Sequence, residues 1–187
     1  AVDGIGYGLW PAVAGGRRGY ALSDVARLHK GQCWQVVGLV DISPALAALA
    51  RMPFEMRNMG SQRANKVPAL LMRHGAPLEP EVELVVDTAI SILGGETHRF
   101  LFRKLAPYQS IGPHVDQILP EEYDWRRFQL PLITDPSVVM RWPDDGEEVH
   151  LRPGVLYEVR ADRTHEVVNG WDGERVHLQI DQVRATV

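Results

Sequence analysis

The chain has 187 residues, 45% of them hydrophobic and 24% charged, with a net charge of −4 and a pI near 6.0. This is the composition of an ordinary globular protein, with one domain as the default reading, and its slight acidity carries no global electrostatic footprint for nucleic acid. Cys33 is the only cysteine, which excludes an intramolecular disulfide and a thiolate-built structural zinc site.

Residues 1–33 are rich in glycine and read as an irregular segment. "GIGYG" at 4–8 is no phosphate loop, because no strand-like run precedes it and no helical run follows. "WQVVGLVDI" (34–42) reads as a strand. "SPALAALARM" (43–52) reads as a short helix with Ser43 at the N-cap and Pro44 at the first helical position, where its missing N–H costs nothing. "RNMGSQRANKVP" (57–68) is a polar, basic loop. The plain reading is a solvated loop; the functional one gives Arg57 or Arg63 a substrate carboxylate. "VPALLMR" (67–73) reads as a second strand. "EPEVELVVDTAISILGG" (79–95) is a helix with acids in its first turn, apolar residues at Val82, Val85, Val86, Ala89, Ile90 and Leu93, and a glycine stop. Its core, "LVVDTAISIL" (84–93), is the most apolar run, yet it is short and carries Asp87. A bilayer span needs ~20 apolar residues, so no membrane partner is expected. No secretory signal pattern opens the sequence. A reducing, cytoplasmic setting is the expectation.

After residue 96 the pattern changes. β-rich runs at 98–105, 111–115, 126–133, 137–142, 147–151, 155–160, 164–168 and 175–183 are punctuated by "TDP", "PDDG", "RPG" and "NGWDG". Many short strands at close spacing predict an antiparallel sandwich or barrel. The expected fold is therefore mainly β with flanking helices: a double-stranded β-helix, the cupin-like jelly-roll. One domain covers 1–187, with the irregular segment at about 1–33, helical and strand support at about 34–96, and the catalytic jelly-roll at about 97–187.

"IGPHVDQ" (111–117) holds a His-x-Asp pair, unspecific by itself. If 111–116 is extended, His114 and Asp116 point to the same face and offer one nitrogen and one oxygen ligand. A facial mononuclear iron site needs one more histidine and leaves three positions open. His165, in "THEVVNGWDGERVHLQID" (164–181), offers that third ligand, and Arg175 follows it by ten residues. In a hairpin of this size Arg175 would sit beside His165 on the neighbouring strand and face the same cavity. A buried arginine needs an anion. The distal carboxylate of a co-substrate such as 2-oxoglutarate would meet the guanidinium in a two-pronged pair.

These residues resemble the Fe(II)/2-oxoglutarate-dependent dioxygenases, and more narrowly the aspartyl/asparaginyl β-hydroxylase family with its related proline hydroxylases. The matching segments are "PHVD", "RRFQLPLITDP", "LRPGVLYEV" and "THEVVNGWDGERVHLQID", which span roughly residues 98–183. The resemblance implies His114, Asp116 and His165 as Fe(II) ligands and Arg175 as the anchor of the distal carboxylate of 2-oxoglutarate, with O₂ as the second co-substrate. It implies Arg127 near the chelating end of 2-oxoglutarate. Gln129 stands where many members have histidine, and its amide still donates a hydrogen bond to a carboxylate. The vertebrate branch has glycine in place of the acidic ligand, whereas Asp116 completes the triad here.

Other polar and aromatic residues read more simply. Arg126 is expected to point to solvent, His177 to pack or to support the site, and Asn169 to shape its turn. His98 and His150 read as structural, and Trp125, Arg141 and Trp142 as strand packing, with a substrate mouth as the alternative. The run at 143–148 reads as an exposed turn. The function implied is hydroxylation of an unactivated C–H bond on an amino-acid side chain, free or within a peptide. The alternatives are a free amino-acid hydroxylase of the proline type and a cupin-like metalloprotein that does not use 2-oxoglutarate.

Overall fold

The computed structural model describes residues 28–52, 56–58, 66–70, 78–95, 97–116 and 123–185. The readings placed on 4–8 and on Arg63 lie outside these residues, as does the side chain of Arg57. In chain order the elements are β1 (Trp34–Leu39), α1 (Ser43–Leu49), β2 (Met56–Asn58), β3 (Lys66–Leu70), α2 (Pro80–Leu93), β4 (Thr97–Leu105), β5 (Ser110–His114), β6 (Tyr123–Ile133), β7 (Val138–Trp142), β8 (Glu147–Val149), β9 (Val155–Val159), β10 (His165–Asn169) and β11 (Arg175–Ala185).

The strands form two antiparallel sheets. The larger runs β1-β9-β6-β11-β4-β3-β2, and the smaller runs β5-β10-β7-β8. Sequence neighbours land in different sheets: β9 and β11 lie in the larger sheet, while β10 between them lies in the smaller one. This back-and-forth winding is the jelly-roll that the turn spacing predicted.

Strand alternation divides the interior into two cores. Phe128, Leu130 and Leu132 of β6, Val176, Leu178 and Ile180 of β11, and Phe102 of β4 pack with Val82, Val85, Val86, Ala89 and Leu93 of α2 and with Ala45, Ala48 and Leu49 of α1. The helices therefore cover the outer face of the larger sheet. Their contact is close at Gly38 on β1, where a Cβ would lie 2.8 Å from Ile92 Cγ2. The second core lies between the sheets and joins Leu105, Ile111, Met140, Trp142, Val155, Tyr157, Val159 and Val167 with Cys33.

The stretch read as a loop at 57–68 begins in β2 and ends in β3, which pair with each other, and two further local readings differ from the structure. Ser43 is the first residue of α1 rather than its N-cap, which is Ile42. The capping oxygen comes from Asp41, whose Oδ1 accepts hydrogen bonds from the Ser43 N–H at 3.0 Å and from its Oγ at 2.7 Å; a carboxylate at this position serves the orphan N–H groups as a serine would. The second concerns 111–116. β5 ends at His114, and Asp116 lies in the following loop, tied by its N–H to the Ala161 carbonyl at 3.0 Å. No helix among the described residues is long and apolar enough to cross a membrane.

Candidate metal centre and anion pocket

His114 and His165 face one another directly across the β5–β10 pair, their ring centroids 4.3 Å apart. Each ring is held by its own strand. The Nδ1 of His114 lies 2.8 Å from the Gly112 carbonyl, and that of His165 lies 2.9 Å from the Arg163 carbonyl. A carbonyl only accepts, so both Nδ1 atoms carry the proton and both Nε2 atoms present lone pairs. Asp116 meets them: its Oδ1 lies 3.8 Å from His114 Nε2 and its Oδ2 lies 3.7 Å from His165 Nε2. Ligand atoms of the three residues all fall within 4.8 Å of one another. Burial lowers the pKa of both imidazoles, that of His165 to about 4, so both rings are neutral and ready to ligate at neutral pH. Two imidazole nitrogens and a carboxylate oxygen converging from one side are the donor set of a non-haem Fe(II) centre with open positions. The residues present fit that group.

The opposite wall is the inner face of the larger sheet. Here every second residue is polar and buried: Arg127 and Gln129 on β6, and Arg175, His177, Gln179 and Asp181 on β11. Arg127 joins the two walls. One of its terminal nitrogens contacts the Asp116 carboxylate, while Nε and Nη2 donate to Asp181 at 2.8 and 3.0 Å. Trp125 lies beneath the guanidinium, 4.6 Å from ring centroid to Cζ. Asp181 also accepts from Arg99 Nε at 2.7 Å. Burial alone raises the Asp181 pKa, but the two guanidiniums outweigh it and hold the carboxyl below its usual range. Gln129 is 7% exposed and its Oε1 meets no donor among the described residues.

Arg175 occupies the expected face by an unexpected route. β10 and β11 are not a hairpin pair; they belong to different sheets. His165 begins β10, and the chain leaves that strand at Asn169 to cross between sheets. Arg175 therefore enters β11 at the end of the cavity remote from His165, not beside it. The crossing is held by Asn169, whose Nδ2 donates to the carbonyls of Ala106 at 2.8 Å and Gly173 at 3.0 Å. A Cβ at Gly170 would approach the Ser137 carbonyl oxygen to 2.8 Å, so glycine suits the crossing. Arg175 Nη2 lies 2.6 Å from His177 Nδ1, and burial pushes the Arg175 pKa down to about 9, with the Arg103 charge adding to the effect.

The remaining readings sort cleanly. Arg126 does face away from the cavity, but it is half-buried and paired rather than solvated: it donates to Glu158 at 2.7 and 2.6 Å and lies over Phe128. Trp142 is core, with Nε1 donating to the Arg160 carbonyl at 2.8 Å, and Arg141 pairs with Glu148 and Glu166. His150 Nδ1 lies 3.0 Å from the Val138 carbonyl, and His98 is exposed. Three polar residues of this wall escaped the sequence reading: Gln179, Asp181 and Arg103. All continue alternations visible in the sequence: "RVHLQID" is polar at every second position, and Arg103 lies between Leu101 and Leu105.

A model of the aspartyl/asparaginyl β-hydroxylase family matches residues 27–185. No curated protein matches the chain. Among solved structures, the viral collagen prolyl hydroxylase of Paramecium bursaria Chlorella virus-1, in its 2-oxoglutarate complex, superposes with a TM-score of 0.58 at 10% identity, over 83% of this chain and 98% of that one. An oxidoreductase of the 2-oxoglutarate-Fe(II) oxygenase family from Burkholderia pseudomallei gives 0.50 at 17% identity, over 75% and 78%. AviO1 from Streptomyces viridochromogenes gives 0.57 at 12%, over 80% and 88%. At these identities the structural likeness concerns the jelly-roll fold.

Proposed function

The chain belongs to the aspartyl/asparaginyl β-hydroxylase family of Fe(II)- and 2-oxoglutarate-dependent oxygenases, and from that premise we propose that it hydroxylates an unactivated C–H bond of an amino-acid side chain in the aspartyl/asparaginyl manner. His114, Asp116 and His165 hold the metal. Arg175 anchors the distal carboxylate of 2-oxoglutarate, and Arg127 and Gln129 lie near its chelating end. Iron(II) so held, with 2-oxoglutarate and O₂, supplies the oxidant, and succinate and CO₂ are the co-products.

One observation carries this reading: both imidazoles are tied through Nδ1 to backbone carbonyls two residues back, so that both Nε2 atoms converge on a carboxylate. The chain's own contribution is placement. Two strand-borne histidines and the loop-borne Asp116 would hold the metal at the smaller sheet, while Arg127 orients Asp116 through its contact with one carboxylate oxygen. The buried guanidinium of Arg175 gives a dicarboxylate a reason to lie along the larger sheet. A reducing, cytoplasmic setting is proposed, which suits Fe(II) and the free, buried Cys33.

Anaerobic addition of Fe(II) and then 2-oxoglutarate tests the reading. We expect a weak visible metal-to-ligand charge-transfer band and, on admitting O₂, succinate release that depends on an amino-acid or peptide substrate. Well-folded protein that gives no such band would sink the proposal and leave a cupin-like metalloprotein that does not use 2-oxoglutarate. Succinate release with peptides containing aspartate or asparagine supports the side-chain assignment; release with free proline alone would replace it with a free amino-acid hydroxylase.

A further inference from the structure

Three enclosed nitrogen atoms on the inner face of the larger sheet meet no hydrogen-bond partner among the described residues: Arg103 Nε, Arg175 Nε and His177 Nε2. They are neighbours. Arg175 and His177 are two apart on β11 and share a face, and Arg103 on β4 lies directly opposite His177 in the antiparallel register. Side chains directly opposite in such a pair have Cβ atoms ~5 Å apart, and diagonal neighbours ~7–8 Å, so all three polar groups reach a common point.

Their protonation follows from chemistry. A guanidinium only donates, so the His177 Nδ1 that lies 2.6 Å from Arg175 Nη2 is the acceptor. His177 is then a neutral imidazole carrying its proton on Nε2. The three unpartnered atoms are all donors, and two of them belong to cations. Uncompensated buried donors of this kind are costly. A carboxylate, with two oxygens and about four lone-pair sites, satisfies all three together.

Arg103 lies between the two ends of the cavity: its charge acts on Arg175 and also on His114 and His165. Arg127, which touches Asp116, lies opposite Asp181 in the β6–β11 register. Arg103 lies opposite His177, four residues back towards Arg175. At ~3.3 Å per residue this is ~13 Å of strand, which sets the Arg103 backbone beside the His177–Arg175 group, while its guanidinium also faces Arg127 and Asp181.

We infer that Arg103 is a second anchor for the distal carboxylate of 2-oxoglutarate, acting with Arg175 as a two-guanidinium clamp, and that neutral His177 positions Arg175 and turns its Nε2–H to the same anion. This rests on the proposed use of 2-oxoglutarate and adds a residue to that site. A single buried arginine already attracts a dicarboxylate; two give the pocket a strong preference for an anion at that end over a neutral 2-oxo acid.

The test is an anaerobic titration of the Fe(II)-loaded protein, reading the charge-transfer band, with two ligands. 2-Oxoglutarate has the distal carboxylate; 2-oxobutyrate keeps the chelating 2-oxo acid and lacks it. Arg103→Met should weaken 2-oxoglutarate binding by about ten- to a hundredfold and leave 2-oxobutyrate within about twofold of wild type. Arg103→Lys should recover part of the loss. 2-Oxobutyrate binding by the variant also shows that its fold and metal site are intact. Should Arg103→Met bind 2-oxoglutarate as wild type does, or lose both ligands equally, the clamp is overturned. A change confined to the Michaelis constant of the amino-acid substrate would overturn it too and place Arg103 at that substrate. Wild type that binds no 2-oxoglutarate removes the reading beneath it as well, so the two failures are told apart.

Discussion

The two faces of β6 and β11 are made by the same residues in alternation, and they do opposite work. Towards the helices stand Phe128, Leu130, Leu132, Val176, Leu178 and Ile180; towards the smaller sheet stand Arg127, Gln129, Arg175, His177, Gln179 and Asp181. Both sets are buried to nearly the same degree. The apolar face gains free energy from burial, roughly 1.5–3 kcal/mol for each large side chain. The polar face loses it, and the loss is partly offset where charges meet, as Asp181 meets Arg127 and Arg99. A strand pair can thus carry a costly, ligand-ready surface because its other face is locked to two helices.

That division of labour can be broken from either side. His165→Ala, on the wall facing the polar set, removes one of the three proposed ligands and should abolish the charge-transfer band and turnover, with circular dichroism unchanged. Asp181→Ala strands two guanidiniums in the cavity wall and should destabilise the protein by about 3–5 kcal/mol, the usual result of removing one partner of a buried pair; urea denaturation measures it. Leu178→Ala, one strand position from both His177 and Gln179 but on the apolar face, should cost about 2–5 kcal/mol. Its effect on 2-oxoglutarate affinity should be small. If Leu178→Ala weakened the ligand as much as it weakened the fold, the two faces would not be independent.

The smallest expected effect is a pH dependence. Burial, the Arg175 charge and His150 together push His177 well below its ordinary value. In the metal-free protein the unfolded chain therefore binds more protons than the folded one below about pH 6.5, and stability rises with pH across that window. Acidification from pH 7 to pH 5 should destabilise the wild type. His177→Leu should flatten that slope by up to about 1.4 kcal/mol per pH unit, measured as urea midpoints at the two pH values. An unchanged slope would show that His177 is not the group responsible.

Most of the strands were readable from period-two patterning and turn residues. The run expected at 126–133 lies within Tyr123–Ile133, and that at 175–183 lies within Arg175–Ala185. The helix at 79–95 was readable from its apolar stripe and observed as Pro80–Leu93. The candidate metal ligands His114, Asp116 and His165 were legible as residue types with ligand chemistry, but their convergence depends on the fold, which pairs His114 with His165 and ties the Asp116 loop to Ala161. The expected hairpin between His165 and Arg175 failed for a physical reason. The turn "NGWDG" looks the same in sequence whether the next strand returns beside the last or crosses to the opposite sheet.

What the sequence determined by itself was local: which segments are strands or helices, which face of each is apolar, and which side chains have metal-ligand chemistry. These follow from backbone periodicity and from the atoms each residue carries. The tertiary structure alone decided which strands pair. It set Arg103 opposite His177, brought Asp181 against Arg127 and Arg99, and made the Arg175 wall face the histidine wall across the cavity. Pairing is a long-range choice, made by burying strand faces against helices or against the facing sheet, far away in sequence. No local pattern contains it.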